Sequence, residues 1–268
     1  MPRPLRAKLS TLLLLSAGLG CEGSPPPKAE SAPAAAAPAP PAAPAAPAPE
    51  PEKQLAEPEK PAEKKAVVCT PGSKPTFTDP ALEKEVRRKA GKVEGELTLA
   101  DVRKVRSVDL TRAGVELESL DPCALPLLTG LHHLYVGRGS ITDLTPIKGL
   151  TKLEGLRLSM NPVSDISALA GMLQMDRLDL GRTQVRDLSP LKKMSKLTEL
   201  MLDDTPVEDL SPLAGATSLE RLSIKRTRVS DLSPLKSLRK LKFLYVGGSP
   251  VESAGGLARP GLKISAED

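Results

Sequence analysis

The sequence predicts an α/β solenoid: stacked copies of one short unit form a parallel β-sheet on a concave face and short 3₁₀ or extended segments on a convex face. A 22-residue unit recurs from about residue 128 to about residue 259, and each copy carries two apolar blocks at constant positions. Such a period is typical of solenoids, because one unit buries its apolar side chains only by stacking on its neighbours. We expect four parts: a signal peptide (1–20), a stalk (21–66), a helical N-terminal cap (67–104) and a repeat domain (105–268).

The first twenty residues have the features of a targeting segment. Three cations stand in the first eight residues, an apolar centre follows, and small residues lead into Cys21. This order resembles the signal peptide of a bacterial lipoprotein, which implies that Cys21 carries lipid and that the chain resides in the cell envelope. The resemblance also implies the outer membrane, because Glu22 stands at the position where an aspartate holds similar lipoproteins at the inner membrane. Gly18 stands where the resemblance expects a leucine, so ordinary signal peptidase cleavage nearby is the alternative.

The next segment is predicted to be a disordered stalk. From residue 22 to residue 66 it holds thirteen prolines in forty-five positions, mixed first with Ala and then with Glu and Lys. Such a composition cannot bury enough apolar surface to offset the entropy of ordering, and it favours polyproline II. At ~3.1 Å per residue, its upper reach is on the order of 140 Å. A proline-rich docking motif is the alternative interpretation.

Two short helices are predicted before the repeats, as a cap for the apolar edge of the outermost unit. Asp79 is a good N-cap with Pro80 after it, and Gly91 ends the first helix. Thr98 and Asp101 have the spacing of a capping box and predict the start of the second helix. The apolar face of the first helix consists of Leu82, Val86 and Ala90.

The repeat domain begins with a unit that is lengthened by four residues and contains Cys123. In each unit, alternation along the strand directs leucines inward and the intervening residues outward. The block that follows, such as 187–191, turns the chain, because aspartate and serine bond backbone amides and proline starts a short helical segment. This capping role explains the recurring aspartates without a calcium site. They are Asp143, Asp165, Asp187, Asp209 and Asp231.

The full repeat reads Leu-x-x-Leu-x-Leu-x-x-Thr/Asn-x-Val-x-Asp-Leu-Ser-Pro-Leu and resembles the bacterial internalin-type leucine-rich repeat family over about residues 76–262. The resemblance implies a curved parallel sheet whose concave face binds other macromolecules, most often proteins. The asparagine typical of the family occurs only at Asn161. Elsewhere hydroxyl residues replace it and can still bond the backbone, namely Thr183, Thr205, Thr227, Ser140 and Ser249.

Cys69 and Cys123 form an even pair once Cys21 is assigned to lipid. Disulfides persist in exported proteins, and a bridge between these two residues would pin the incoming chain to the cap. Two thiols, buried or free, would give the same sequence. The sequence therefore leaves open whether Cys69 and Cys123 form a disulfide.

Outward residues form columns across the predicted sheet, with neighbours about 4.8 Å apart. Three of the four Tyr and Phe residues fall at the two ends of this surface, and aromatic residues are enriched where partners bind. Charges in the middle of the sheet alternate in sign and are expected to form ion pairs. Asp203 and Lys225 are expected to pair as well, in a third column that also contains Thr111, Gly137, Ser159, Gly181 and Gly247. The candidate protein-binding residues are His133, Tyr135, Arg157, Arg177, Phe243 and Tyr245.

The sequence contains no convincing catalytic or metal-binding motif. Its two histidines, His132 and His133, are adjacent on a strand and therefore point to opposite faces. A Gly-rich phosphate loop, a paired carboxylate motif and a Cys-x-x-Cys motif are all missing from the sequence. We therefore expect a protein that is not an enzyme, with no cofactor, metal or small-molecule substrate.

The charge balance does not favour nucleic acid as a partner. The net charge of +5 falls to +2 when the three cations of the signal peptide, Arg3, Arg6 and Lys8, are left out. A polybasic run with interleaved aromatic residues is also missing. The predicted function is that of a lipid-anchored envelope protein whose concave face binds an unidentified protein. The alternative is a glycan- or peptidoglycan-binding tether, in which the aromatic residues stack on sugars.

Overall fold

The computed structural model describes Cys69 and residues 74–112, 116–251 and 256–267. The predicted signal peptide, Cys21 and the predicted stalk lie outside these residues. Within the described part, no helix combines the length and the apolar character that a membrane crossing requires.

Helix α1 (Pro80–Ala90) begins and ends as the sequence predicts. The Asp79 carboxylate accepts a hydrogen bond from the amide of Ala81, and Gly91 adopts a left-handed φ of 68° just after the last turn. Leu82 and Val86 are buried, so α1 covers the first edge of the sheet with its apolar face.

Helix α2 (Leu99–Lys104) carries the predicted capping box. The Thr98 hydroxyl accepts from the Asp101 amide, and the Asp101 carboxylate accepts in return from the Thr98 amide and hydroxyl. These hydrogen bonds, together with one from Lys92, lower the pKa of Asp101 from its ordinary value of 3.8 to about 2.

Eight parallel strands form one sheet in which each strand pairs with the next in chain order, as predicted for a solenoid. Strands β1 to β7 bury their central residues, and the central residue of β8 is half-buried. The flanking residues are exposed or half-buried, except for Gly155 and Ser223, which are buried. The strands are β1 (Ser107–Asp109), β2 (His133–Tyr135), β3 (Gly155–Arg157), β4 (Arg177–Asp179), β5 (Glu199–Met201), β6 (Arg221–Ser223), β7 (Phe243–Tyr245) and β8 (Lys263–Ser265).

The spacing between strands follows the predicted period with one exception at each end. Residues 22 positions apart are paired from β2 to β7. Ser107 pairs with His133 across 26 positions, which confirms the four-residue insertion in the first repeat. Phe243 pairs with Lys263 across 20 positions, so β8 is a strand that the repeat pattern did not predict.

Six 3₁₀ segments lie between consecutive strands from β1 to β7, and five of them contain the proline that the sequence places in their first turn. The recurring aspartates accept hydrogen bonds from the amide two residues later, at 2.7 to 2.8 Å, which confirms their capping role. The segments are Leu125–Leu127, Thr145–Ile147, Ser167–Leu169, Ser189–Leu191, Ser211–Gly215 and Ser233–Ser237.

A row of buried polar side chains runs beside the leucine core and satisfies the backbone where each strand ends. The hydroxyls of Thr183, Thr205 and Thr227 donate to the carbonyl three residues earlier, at 2.6 to 2.9 Å. Asn161 donates to the carbonyls of Leu158 and Gly137. Threonine therefore replaces the asparagine of the family and still donates a hydrogen bond to a backbone carbonyl, as expected.

Asp121 joins the cap to the first repeat. It is 3% exposed, and one carboxylate oxygen accepts from the amides of Thr78 and Asp79 while the other accepts from those of Cys123 and Ala124. The Sγ atoms of Cys69 and Cys123 are bonded, with 5.3 Å between the Cα atoms. One disulfide and four hydrogen bonds therefore meet at Asp121 and Cys123 in the lengthened first repeat.

We expect Asp121→Asn to lower the free energy of unfolding by about 2–4 kcal/mol, because its NH₂ group would face two buried amide donors that lose their acceptor. Urea denaturation followed by circular dichroism measures the change. Glu118→Gln is the matched control at an exposed neighbouring position, with an expected effect of at most ~0.5 kcal/mol. Equal effects of the two substitutions would contradict the role given to Asp121.

Candidate functional site

The exposed side of the sheet, here called the concave face, is formed by the residues that flank each strand centre. Pairing in register aligns these residues into two columns across all eight strands, as predicted, and β8 extends each column by one residue. The first column is Ser107, His133, Gly155, Arg177, Glu199, Arg221, Phe243 and Lys263; the second is Asp109, Tyr135, Arg157, Asp179, Met201, Ser223, Tyr245 and Ser265.

The third predicted column is only partly on this surface. Ser159, Gly181 and Gly247 are buried, while Asp203 and Lys225 are half-buried. The reason is a sharp turn at the following position, where the backbone adopts positive φ in five consecutive repeats. These residues are Met160 (62°), Arg182 (56°), Asp204 (57°), Arg226 (50°) and Gly248 (69°).

Left-handed backbone at a non-glycine residue is costly, and here pairing between repeats compensates for it. The amide of Met160 donates to the carbonyl of Gly181, and that of Arg182 donates to the carbonyl of Asp203, at 2.9 and 2.7 Å. The same bond recurs from Asp204 and Arg226. The Asp204 carboxylate also lies between the guanidinium groups of Arg226 and Arg182, whose hydrogen bonds lower its pKa.

Charges in the middle of the concave face pair with one another, as predicted. Glu199 lies 3.9 Å from Arg177 and 3.1 Å from Arg221, while Arg157 lies 3.2 Å from Asp179. The arginines of these pairs are exposed and the carboxylates half-buried, so solvent screens the pairs and they contribute little stability. Two of the candidate binding residues, Arg157 and Arg177, thus already have partners within the chain.

The prediction that Asp203 and Lys225 form an ion pair is wrong. The Asp203 carboxylate accepts hydrogen bonds from the Ser223 hydroxyl and from the backbone amide of Lys225. The Lys225 ammonium instead lies 5.9 Å from the ring centroid of Tyr245. The turn after the strand presents the backbone rather than the side chain of Lys225 to the carboxylate.

The first aromatic patch consists of His133 and Tyr135, both half-buried. Their rings are stacked with centroids 6.1 Å apart, and the Tyr135 hydroxyl lies 3.5 Å from Nδ1 of His133. Both side chains extend over the neighbouring Gly155. A Cβ atom there would lie 2.7 Å from His133 Nδ1 and 3.2 Å from the Tyr135 hydroxyl, so this patch requires a glycine in β3.

The second aromatic patch consists of Phe243 and Tyr245 in β7, which is the penultimate strand rather than the end of the sheet. The Arg221 guanidinium and the Lys263 ammonium lie 5.4 and 5.9 Å from the centroid of the Phe243 ring. Cations at such distances are attracted to the negative face of the ring and limit its movement. Lys263 could not be recognised from the sequence, because β8 departs from the 22-residue period.

The two histidines have separate partners, in line with their predicted opposite orientations. Nδ1 of His132 lies 3.0 Å from the Glu154 carboxylate, and His133 packs on Tyr135. Among the described residues, no group of three or more His, Cys, Asp and Glu side chains could hold a metal ion. The side chains described on the concave face can therefore contact a partner through aromatic rings and through charges that are already paired within the chain.

Solved structures that resemble this fold include internalin C2 of Listeria monocytogenes, which is 31% identical; the match has a TM-score of 0.64 and covers 74% of this chain and 100% of that chain. An internalin of the same organism, InlF, is 27% identical, with a TM-score of 0.57 over 68% of this chain and 59% of that chain. A leucine-rich repeat protein of Leptospira interrogans is 18% identical, with a TM-score of 0.52 over 61% of this chain and 50% of that chain, and is similar in fold alone.

The parallel sheet with short 3₁₀ segments between its strands defines a leucine-rich repeat protein. The chain belongs to the internalin-type leucine-rich repeat family, because it is 31% identical to the solved chain of internalin C2 and the match covers all of that chain. No protein-family profile matches the chain, and neither does any curated protein sequence.

We expect Met160→Gly to leave the free energy of unfolding unchanged or to raise it by up to about 1.5 kcal/mol. Glycine removes a left-handed strain of ~1–2 kcal/mol and adds roughly 0.5–1 kcal/mol of unfolded-chain entropy. Leu173→Gly is the control, since Leu173 is similarly exposed (45% against 41%) and lacks positive φ; it should lose about 1 kcal/mol. Equal losses in urea denaturation would show that the turn imposes no strain at Met160.

Proposed function

We propose that the chain is a lipid-anchored, non-enzymatic protein of the bacterial cell envelope, and that its concave face binds a protein partner. The observation that carries this proposal is the placement of the aromatic side chains. The chain has only two Tyr and two Phe residues. Three of the four, Tyr135, Phe243 and Tyr245, stand on the concave face, while Phe77 packs against the core.

Rings in such positions favour binding because they offer a large contact area at a low cost in side-chain entropy. Tyr135 is held by His133, and Phe243 is held between Arg221 and Lys263. Side chains ordered before binding reduce the entropy lost when a partner docks. The two patches are five strands apart, so about 24 Å of sheet separates them.

The paired charges between the two patches would orient a bound partner rather than increase its affinity. Arg157 and Arg177 would have to leave Asp179 and Glu199 to bind a partner directly, and exchange of one exposed ion pair for another gains little. A partner that matches this pattern of alternating sign would be held in one register.

The membrane anchor is proposed from the sequence alone. The order of cations, apolar centre and small residues before Cys21 supports lipidation of that cysteine. The proline-rich segment that follows would then link the anchor to the repeat domain. The family relationship to bacterial internalins supports an envelope location, and Glu22 supports the outer membrane.

A binding experiment tests the protein-partner proposal against the glycan alternative. The full chain is immobilised and exposed in parallel to solubilised envelope proteins and to purified peptidoglycan. We expect retention of a specific protein and no retention of peptidoglycan. Binding of the purified glycan alone would overturn the proposal and favour a tether.

Substitution of Tyr135, Phe243 and Tyr245 by Ala should weaken binding of the captured partner by about tenfold or more, because aromatic anchors dominate interface energies. Each substitution should change the free energy of unfolding by less than ~1.5 kcal/mol, since the three side chains are only half-buried. Leu173→Ala, outside the concave face, is the control for binding. A large loss of stability with binding unaltered would show that the rings belong to the core.

Cys21→Ala should release the protein from membranes and abolish metabolic labelling with palmitate, because the sulfur that would carry the acyl chain is removed. Fractionation of cells that express the full chain measures the release from membranes, and palmitate in the purified protein measures the labelling. Cys69→Ala is the control, since it removes a cysteine that is bonded to Cys123 and should leave labelling intact. Labelling that persists in Cys21→Ala would exclude the lipid anchor.

A further inference from the structure

One edge of the solenoid carries a large excess of positive charge. It consists of the five seven-residue stretches that lead into strands β3 to β7, two of which begin within a 3₁₀ segment, and it is here called the basic edge: residues 148–154, 170–176, 192–198, 214–220 and 236–242. These segments hold nine Lys or Arg and three Asp or Glu residues. The connections on the opposite edge, residues 138–144, 160–166, 182–188, 204–210 and 226–232, hold five cations and seven carboxylates.

The cations of the basic edge follow a pattern with twice the period of the repeat. Every second connection carries two lysines four residues apart, all of them exposed: Lys148 and Lys152, Lys192 and Lys196, Lys236 and Lys240. The connections between them carry Ala and Gln or Ala and Ser at the same positions. Because neighbouring repeats stack at about 4.8 Å, successive lysine pairs lie roughly 10 Å apart along a line.

The carboxylates of the basic edge are already engaged within the chain. Glu154 contacts His132, Asp176 accepts from the Thr198 hydroxyl, and Glu220 pairs with Lys242 at 2.8 Å. Lys196 donates to the neutral amide of Gln174. Most of the positive charge on this edge therefore faces solvent.

We propose that the basic edge docks on an anionic lipid membrane. Eight of its nine cations are lysines, which act as hydrated point charges on flexible stems and lack the planar fork by which arginine selects one partner geometry. Mobile headgroups can rearrange beneath a row of such charges, whereas a ligand of fixed shape requires matched donors and pockets. Each cation near an anionic bilayer adds to the attraction, within a screening length of about 8 Å at physiological salt.

Docking by this edge would also orient the domain. The edge that carries more carboxylates than cations would point away from the anionic surface, and the concave face would stand beside the membrane, open to a partner. The proposal is independent of partner binding by the concave face and of acylation, because it depends only on the charges of the repeat domain.

Sedimentation with lipid vesicles tests the proposal, with the full chain carrying Cys21→Ala so that acylation cannot contribute. Vesicles of equal parts phosphatidylglycerol and phosphatidylcholine should bind the protein, binding should fall as salt is added, and pure phosphatidylcholine vesicles should bind little. In the same background, K192Q/K193Q/K196Q should weaken binding to the anionic vesicles by about 10–100-fold. R138Q/R186Q/R228Q removes the same charge from the opposite edge and should stay within about twofold of the parent.

Equal weakening by the two triple variants would assign the effect to net charge and overturn the proposal. Equal binding to anionic and neutral vesicles would overturn it as well. Soluble polyglutamate and polygalacturonate serve as competitors, and tighter binding to either one than to anionic vesicles would replace the membrane by an acidic polymer as the partner. Unchanged melting temperatures of both triple variants would show that the comparison reports on binding and not on folding.

Discussion

Parallel pairing in one fixed register is the constraint on which the rest of this structure depends. Each strand from β2 to β6 pairs with the one that follows it 22 residues later, so every position lies beside its own copy. Leucine therefore packs on leucine, and each buried threonine lies near the next along one row. Even the left-handed turns are stabilised from the neighbouring repeat, since their amides donate to carbonyls one unit away. The four-residue insertion before β2 is tolerated because it lies outside the strands.

The parts of the fold that follow from side-chain type could be predicted from the sequence. Asp79, Thr98 and the recurring aspartates cap where their chemistry requires, and the leucine period gave the register and the surface columns. The left-handed turns were missed because Met160, Arg182 and Arg226 give no local signal for positive φ, which pairing between repeats stabilises. Strand β8 was missed because its spacing is shorter. The contact of Lys225 with Tyr245, and the four amides around Asp121, depend on tertiary geometry that no repeat pattern encodes.

The same register gives the molecule two surfaces of different character. On the concave face, charges are neutralised in pairs and rings are held by neighbouring cations, which suits recognition of a shaped partner. On the basic edge, lysines outnumber carboxylates, and Lys242 pairs with Glu220. Such an excess of charge suits attraction to a charged surface that has no fixed shape. A solenoid allows this separation, because a substitution at one phase of the repeat changes one surface and leaves the others unaltered.

The bond between Cys69 and Cys123 has a mechanical consequence. A pull on the chain from its N-terminal side reaches Cys69 and passes through the sulfur atoms directly to Cys123 at the first repeat. Both cap helices lie in the bypassed loop, so they carry no tension while the bridge is intact. In a domain held on a tether, the pulling force would thus be distributed over the strands of the sheet. The two helices that cover the apolar edge of the sheet would stay folded under that force. Reduction of the bridge would reroute the same load through α1 and α2.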